Sequence, residues 1–236
     1  MVNILKLFTG KKKRIDDDPR VYVKKDISIE DFIRVNDQSY EYREKVLPAA
    51  LTVEFWRGSG LVNFLLDSRF LKSEILDVGC GSGEIDIIIA EKGYDITAVD
   101  ISPYAINLAG KLAEGFPDCK GKLDFLVGNI EQMDFNKKFS TAIISHTLEH
   151  VINPDKMMEM VIRLLNPESY ILVAVPNKKA WNDRTHLRHY SERSLRKFLS
   201  LYSREIEIKI DKVEKMIFAV LKVPESTFKN SVNERV

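Results

Sequence analysis

An apolar run, Ile75-Leu76-Asp77-Val78, leads straight into Gly79-Cys80-Gly81-Ser82-Gly83, and a later run ends in Val99-Asp100-Ile101-Ser102. The pattern reads as a buried strand, a glycine-rich turn opening a helix, and a second strand ending in an acid. Glycines at alternate positions let backbone approach a ligand where any side chain would collide. A carboxylate at the tip of the neighbouring strand is placed to accept bonds from ribose hydroxyls. These residues call for an α/β sheet whose first turn and second strand tip hold a nucleoside-bearing ligand.

The remainder of the chain keeps that alternation. Runs rich in Ile, Val, Leu and Phe predict strands near 74–79, 95–100, 123–127, 140–145 and 169–175. Helical stretches near 83–92, 103–114 and 154–165 separate them, the second opening with Ser102 as cap and Pro103 at its first position. Alternating elements imply a mostly parallel sheet, helices on both faces and right-handed crossovers. Residues 191–201 predict another helix, capped by Ser191. The alternating stretch 205–210 and the apolar stretch 216–221 then predict a hairpin added to the sheet. Before the sheet, Ile29, Phe32 and Ile33, and later Leu61, Phe64 and Leu65, recur at helical spacing. Asp26 or Ser28 caps the first helix, and Gly58-Ser59-Gly60 divides the segment. The expected division is a flexible tail over 1–26, a helical cap over 27–70, the sheet domain over 71–223 and a polar tail over 224–236.

A chain of 236 residues can bury one substantial core. Its 36 basic and 35 acidic side chains leave a charge of +1, without the basic surplus of a nucleic-acid binder. Two cysteines, Cys80 and Cys119, make no disulfide framework and suit a reducing, cytoplasmic setting. No apolar run approaches the roughly 20 residues that span a bilayer. The apolar start, residues 1–8, is too short for a signal peptide. It runs into Lys11-Lys12-Lys13-Arg14, which suggests peripheral membrane contact through residues 1–14; Asp16-Asp17-Asp18 offsets that charge, and a mobile tail is the plainer expectation. Oligomeric state leaves no mark in the sequence.

The nicotinamide fingerprint is G-x-G-x-x-G, whereas Gly79, Gly81 and Gly83 are spaced G-x-G-x-G. Glu84 occupies the sixth position, an unfavourable charge beside a pyrophosphate. No Gly-Lys-Ser/Thr follows at P-loop spacing. A phosphate-free nucleoside fits better.

At this point the residues resemble a known family. Asp77-Val78-Gly79-Cys80-Gly81-Ser82-Gly83 resembles motif I of class I S-adenosylmethionine-dependent methyltransferases. Asp100 matches the ribose-binding acid and Ile101 the apolar residue against adenine. Phe125-Leu126-Val127-Gly128-Asn129-Ile130-Glu131 is similar to the third strand and its adenine-binding end, with Asn129 replacing the usual Asp. Residues 139–151, which include Leu148-Glu149-His150, and residues 170–177, ending Val175-Pro176-Asn177, resemble the ubiquinone-biosynthesis O-methyltransferase-like subgroup. The resemblance covers roughly residues 50–222 and implies a Rossmann-like fold with a mostly parallel seven-stranded sheet and a C-terminal antiparallel hairpin. It implies S-adenosylmethionine as cofactor and S-adenosylhomocysteine as product. The implied cofactor residues are Asp77, Gly79, Cys80, Gly81, Gly83, Asp100, Ile101, Asn129, Ile130, Ser145 and His146. It also implies N-terminal helices folded over the cofactor.

Methyl transfer needs an in-line nucleophile and, for a hydroxyl, a base. All four histidines lie in the second half. His146, Glu149 and His150 share a face if a helix has begun by residue 146. His186 matches the acceptor-side histidine of the subgroup, so His186 and His150 are the catalytic candidates. His146-Thr147-Leu148-Glu149-His150 matches H-x-x-E-H, but a buried strand ends just before it, against a zinc-peptidase helix. Some ubiquinone-type relatives carry Glu-x-x-Glu-His here and bind a divalent metal; His146 replaces the first Glu, so a metal is not favoured and no metal ligands are assigned. Tyr40, Tyr42, Phe55, Trp56 and Trp181 offer aromatic lining but suit ordinary core. Arg188 and Lys178-Lys179 offer charge to an anionic substrate group but suit solvated loop charge better. The expected function is methyl transfer to a hydroxyl of a small molecule, lipid, quinone precursor or glycan. Alternatives are a nucleic-acid or protein methyltransferase, disfavoured by charge and by the absence of a proline pair after the fourth strand, and a non-catalytic cofactor-binding module.

Overall fold

The computed structural model describes residues 27–46, 48–177 and 186–225. Seven strands form one sheet: β1 (Ile75–Val78), β2 (Ile96–Asp100), β3 (Leu123–Val127), β4 (Phe139–Ser145), β5 (Leu165–Pro176), β6 (Ile206–Asp211) and β7 (Met216–Lys222). Their order is β3-β2-β1-β4-β5-β7-β6. The first five run parallel, while β7 runs against both β5 and β6. The order reverses between β1 and β4, so the crevice beyond their carboxyl ends is the place for a ligand.

The helices are α1 (Ile29–Val46), α2 (Val53–Trp56), α3 (Gly60–Leu65), α4 (Glu84–Glu91), α5 (Pro103–Ala113), α6 (Pro154–Leu164) and α7 (Glu192–Leu199). Sheet side chains alternate between two cores. Leu76, Ile144 and Val173 meet α6 and α7 on one face, whereas Ile75, Ile143 and Leu172 share the other with Leu61, Leu65 and Ile89. Both faces are therefore covered, which explains the nearly continuous apolar strands. Ser28, Ser102 and Ser191 cap their helices as expected; Asp26 lies outside the described residues. Ser59 caps α3, and Phe64 stacks on Phe218 of β7 at 4.7 Å. Glu214, in the β6–β7 turn, accepts bonds from the Gly60 and Leu61 amides at 2.5 and 3.0 Å.

One strand starts earlier than its sequence suggests. β5 begins at Leu165, directly after α6, because Leu165 pairs with Phe139 before the register shifts to Thr141–Tyr170. Asn166-Pro167-Glu168-Ser169 bulges between these pairings, which hid the first part of the strand.

Candidate active site

Beyond β1 the chain folds over the end of β2, and the Gly79 and Cys80 amides donate to the Val99 carbonyl at 2.7 and 3.1 Å. Gly79, Gly81 and Gly83 take φ values of +80°, +61° and +79°, in the region that favours glycine. A Cβ at 79 would strike the Thr147 side chain, one at 81 would lie 2.5 Å from Tyr40 Oη, and one at 83 would lie 2.5 Å from Phe125 Cζ. Gly79 and Gly83 thus make room for protein as much as for a ligand. The buried Asp100 carboxylate accepts from the Gly81 amide on Oδ2 and the Ser102 amide on Oδ1, both at 2.9 Å. Burial raises its pKa while these amides oppose the shift. Each oxygen retains a lone pair for a further donor.

The other expected cofactor residues surround this turn unevenly. Asn129 Oδ1 caps a short 3-10 turn by accepting from the Glu131 amide at 3.0 Å, and keeps a second lone pair. The Ile130 side chain is buried in the core rather than presented at the surface. Asp77 lies under the turn facing Asp86 of α4, and both are buried. Burial pushes the Asp77 carboxyl up to about 7 and raises Asp86 well above the usual range, so the pair retains a proton near neutrality. Burial also pushes the Cys80 thiol up, leaving it an unreactive thiol.

α1 crosses the open side of the turn. Asp37 Oδ1 accepts from Ser102 Oγ at 2.5 Å and the Tyr104 amide at 3.2 Å. Tyr104 Oη donates to Glu44, one turn of α1 beyond Tyr40. Asp37, Tyr40 and Glu44 recur at helical spacing, so one polar face of α1 meets the turn and the start of α5.

The second half of the crevice lies after β4. His146 adopts φ +52°, and its amide donates to Ala174 at 2.8 Å. Thr147 Oγ1 bridges the Val78 and Ser145 carbonyls at 2.9 Å each, tying β1 to β4. Residues 147–150 form a turn, closed by the His150 amide on Thr147 O at 2.9 Å. The helical face considered for 146–150 is therefore corrected: left-handed backbone at His146 interrupts it, and α6 starts only at Pro154 behind the Asn153 cap. The turn still brings His146 Nδ1 to 3.5 Å from Glu149 Oε1.

The segment at 186–190 docks on this turn. The Leu187 amide donates to Glu149 O at 2.8 Å, and Arg188 Nη1 donates to the Leu148 carbonyl at 2.7 Å and to the Val151 carbonyl. Nη2 reaches Ile152 O at 3.3 Å. Arg188 is 1% exposed, so its reading as solvated loop charge or substrate contact is overturned. It is a clamp between two loops. The clamp sets the His186 ring 4.8 Å from His150 and 5.8 Å from His189. Glu149 is buried among these imidazoles. Burial is the largest influence on its carboxyl and pushes the pKa up, but His146, His150 and His186 together hold it below the usual range. Ser145 Oγ is buried and makes no hydrogen bond with the described residues.

This sheet order and glycine turn have counterparts among known proteins. The family described as "Methyltransferase domain" matches residues 53–206. The chain belongs to this family. Among curated relatives, the mitochondrial ubiquinone biosynthesis O-methyltransferase of Schizosaccharomyces pombe is 31% identical over 105 residues, or 44% of this chain and 38% of that protein. The chain thus spans well under half of that relative. A S-adenosylmethionine-dependent methyltransferase of Methanosarcina mazei superposes with TM-score 0.54 at 23% identity, over 66% of this chain and 96% of that one. Magnesium protoporphyrin IX methyltransferase of Synechocystis, solved with bound S-adenosylmethionine, gives 0.52 at 19% identity, over 87% and 88%.

The structure joins the glycine turn to Asp100 with Asp77 buried beneath it, while Ile101 and Asn129 follow the ends of β2 and β3. Ser145 ends β4, and beyond it His146 approaches Glu149 while His150 meets His186. Of the aromatic residues weighed as lining or core, Tyr40 reaches the turn at Gly81, Phe55 and Tyr42 are exposed and belong to neither, and Trp56 packs inward with Nε1 on Ala50 O at 3.1 Å. Trp181, Lys178 and Lys179 lie outside the described residues. Sequence reasoning missed Asp37, Glu44 and Thr147; a Thr two residues past an apolar strand was the one local sign. No helix of the described residues is long and apolar enough to cross a membrane.

Proposed function

We propose that this methyltransferase moves the methyl group of S-adenosylmethionine to a hydroxyl of a small molecule, lipid, quinone precursor or glycan. The observation that carries this reading is the Asp100 carboxylate, buried and fixed by two amides, facing a phosphate-averse turn that carries Glu84. The ribose binds Asp100, adenine lies by Ile101 and the free lone pair of Asn129, and the amino-acid end lies by Ser145 and His146. The acceptor enters at His150 and His186. Held there, the cofactor would supply an electrophilic methyl group to the acceptor oxygen and leave as the thioether, while an imidazole of His150 or His186 would take the hydroxyl proton. Relatives named ubiquinone biosynthesis O-methyltransferase favour the quinone precursor among these acceptors. The free cysteines Cys80 and Cys119 are in keeping with a cytoplasmic setting.

The test has two stages. Calorimetry with S-adenosylhomocysteine should show binding, and mass spectrometry should then detect that product and a methylated hydroxyl from an acceptor panel. His186→Gln should keep the binding and lower turnover by roughly 100-fold. Binding without product from any acceptor would instead assign a regulatory module.

A further inference from the structure

We infer that Asp86 lets the glycine turn tell ligands apart by charge, holding the sulfonium donor in preference to its neutral thioether product. The inference rests on the cofactor reading above and turns on a residue that reading does not use. Asp86 stands in the first turn of α4 and is 0% exposed, while Asp77 of β1 is 4% exposed. The two carboxyls face each other at the foot of the turn over 79–83. Asp77 Oδ1 and both Asp86 oxygens accept no hydrogen bond from the described residues. The charges that act on the pair come from further acids, Asp100 of β2 and Glu84 of α4, and the Cys80 thiol feels the pair in turn. From α1, Arg43 acts on Glu84 and on Tyr40, which also feels Asp100. Two buried carboxyls so placed cannot both ionise, so they share a proton. A buried acid without a hydrogen-bond donor is satisfied by a positive charge nearby.

The donor brings a net positive charge to this turn; the product, having lost the methyl group and the sulfonium charge together, brings none. α4 also points its positive end at the turn, which opposes a cation. An ionised carboxylate in the first turn of that helix offsets the opposition. A cation over the turn therefore favours the ionised pair, and the shared proton leaves to solvent. By reciprocity, the ionised pair tightens the cation by the same factor. The neutral product takes no part in this exchange. Burial brings the first ionisation of the pair near neutrality, with Asp77 at about 7. Below that pH the donor must displace a proton, and above it the negative charge is already in place, so preference for the donor grows as pH rises. Asp100 serves the ribose, which both molecules carry, so the ratio of their affinities sets its contribution apart.

Calorimetry of the full chain without acceptor, at pH 6 in buffers of different ionisation enthalpy, should show protons released when S-adenosylmethionine binds and few when S-adenosylhomocysteine binds. The ratio of donor to product affinity should rise by roughly fivefold from pH 6 to pH 8. Asp86→Asn replaces the facing acid by an amide that donates to Asp77, which then ionises at lower pH. Proton release and the rising ratio should both vanish from this range, while S-adenosylhomocysteine still binds. A wild-type ratio that stays level, or a rise that survives intact in Asp86→Asn, overturns the inference. Failure of both molecules to bind would overturn the cofactor reading, and this inference with it. Wild-type proton release and affinity ratios decide the matter even if the variant fails to fold.

Discussion

Gly79 lies at φ +80° with the Thr147 side chain where a Cβ would project, and the Thr147 hydroxyl holds the carbonyl just before the turn. Left-handed strain and overpacking therefore act together at one atom. Gly79→Ala should cost about 2–4 kcal/mol. Thr147→Ala should cost about 1 kcal/mol for its hydrogen bonding. The double substitution should cost less than the sum, since the smaller side chain vacates the space, and urea unfolding of all four proteins measures that coupling. Strict additivity would show that the two residues do not share the space. The glycine triplet and Asp100 were legible in the sequence because each needs only local chemistry. Thr147 was not, because its partners Val78 and Gly79 meet it only after β1 and β4 pair. Arg188 was misread for a related reason: the carbonyls that accept its guanidinium converge only once residues 147–150 have turned.

α1 shows what periodicity can and cannot reveal. The spacing of Ile29, Phe32 and Ile33 predicted a helix, and a helix forms, yet Val35 is its only fully buried residue. Its docking rests on polar contacts from Asp37 and Glu44 to Ser102 and Tyr104, with Tyr40 over Gly81. Nothing in an apolar pattern marks these. An element held this way opens more readily than one sealed by core. Asp37→Ala removes bonds worth about 1–1.5 kcal/mol, so amide exchange over 29–46 should quicken by roughly tenfold while α4 and α6 keep their protection. Exchange that stays at the wild-type rate would place the anchorage elsewhere. The sheet elements behaved differently: both-face burial forces β-branched, apolar runs, and those were readable to within a few residues except at the β5 bulge.

Across the whole molecule, the buried acids beneath the turn tie stability to pH. The folded Asp77 pKa of about 7 exceeds its unfolded value near 3.9, so between these values the native state binds more protons than the unfolded chain. Stability therefore falls as pH rises through that window and stays lower above it. Glu84 and Asp100, also raised by burial, act in the same direction. Asp86→Asn removes a carboxyl that burial raises well above its usual range, and with it that group's proton uptake on folding, so the drop in melting temperature from pH 5 to pH 8 should shrink relative to wild type. An unaltered drop would acquit the pair. Long-range order has one more expression in the joint between Glu214 and the first amides of α3, backed by Phe64 on Phe218. A ribosome releases α3 long before the loop that receives it. The Phe64 face of α3 must therefore wait until nearly all of the sheet has been synthesised, and on the nascent chain that face is where a chaperone would find its hold.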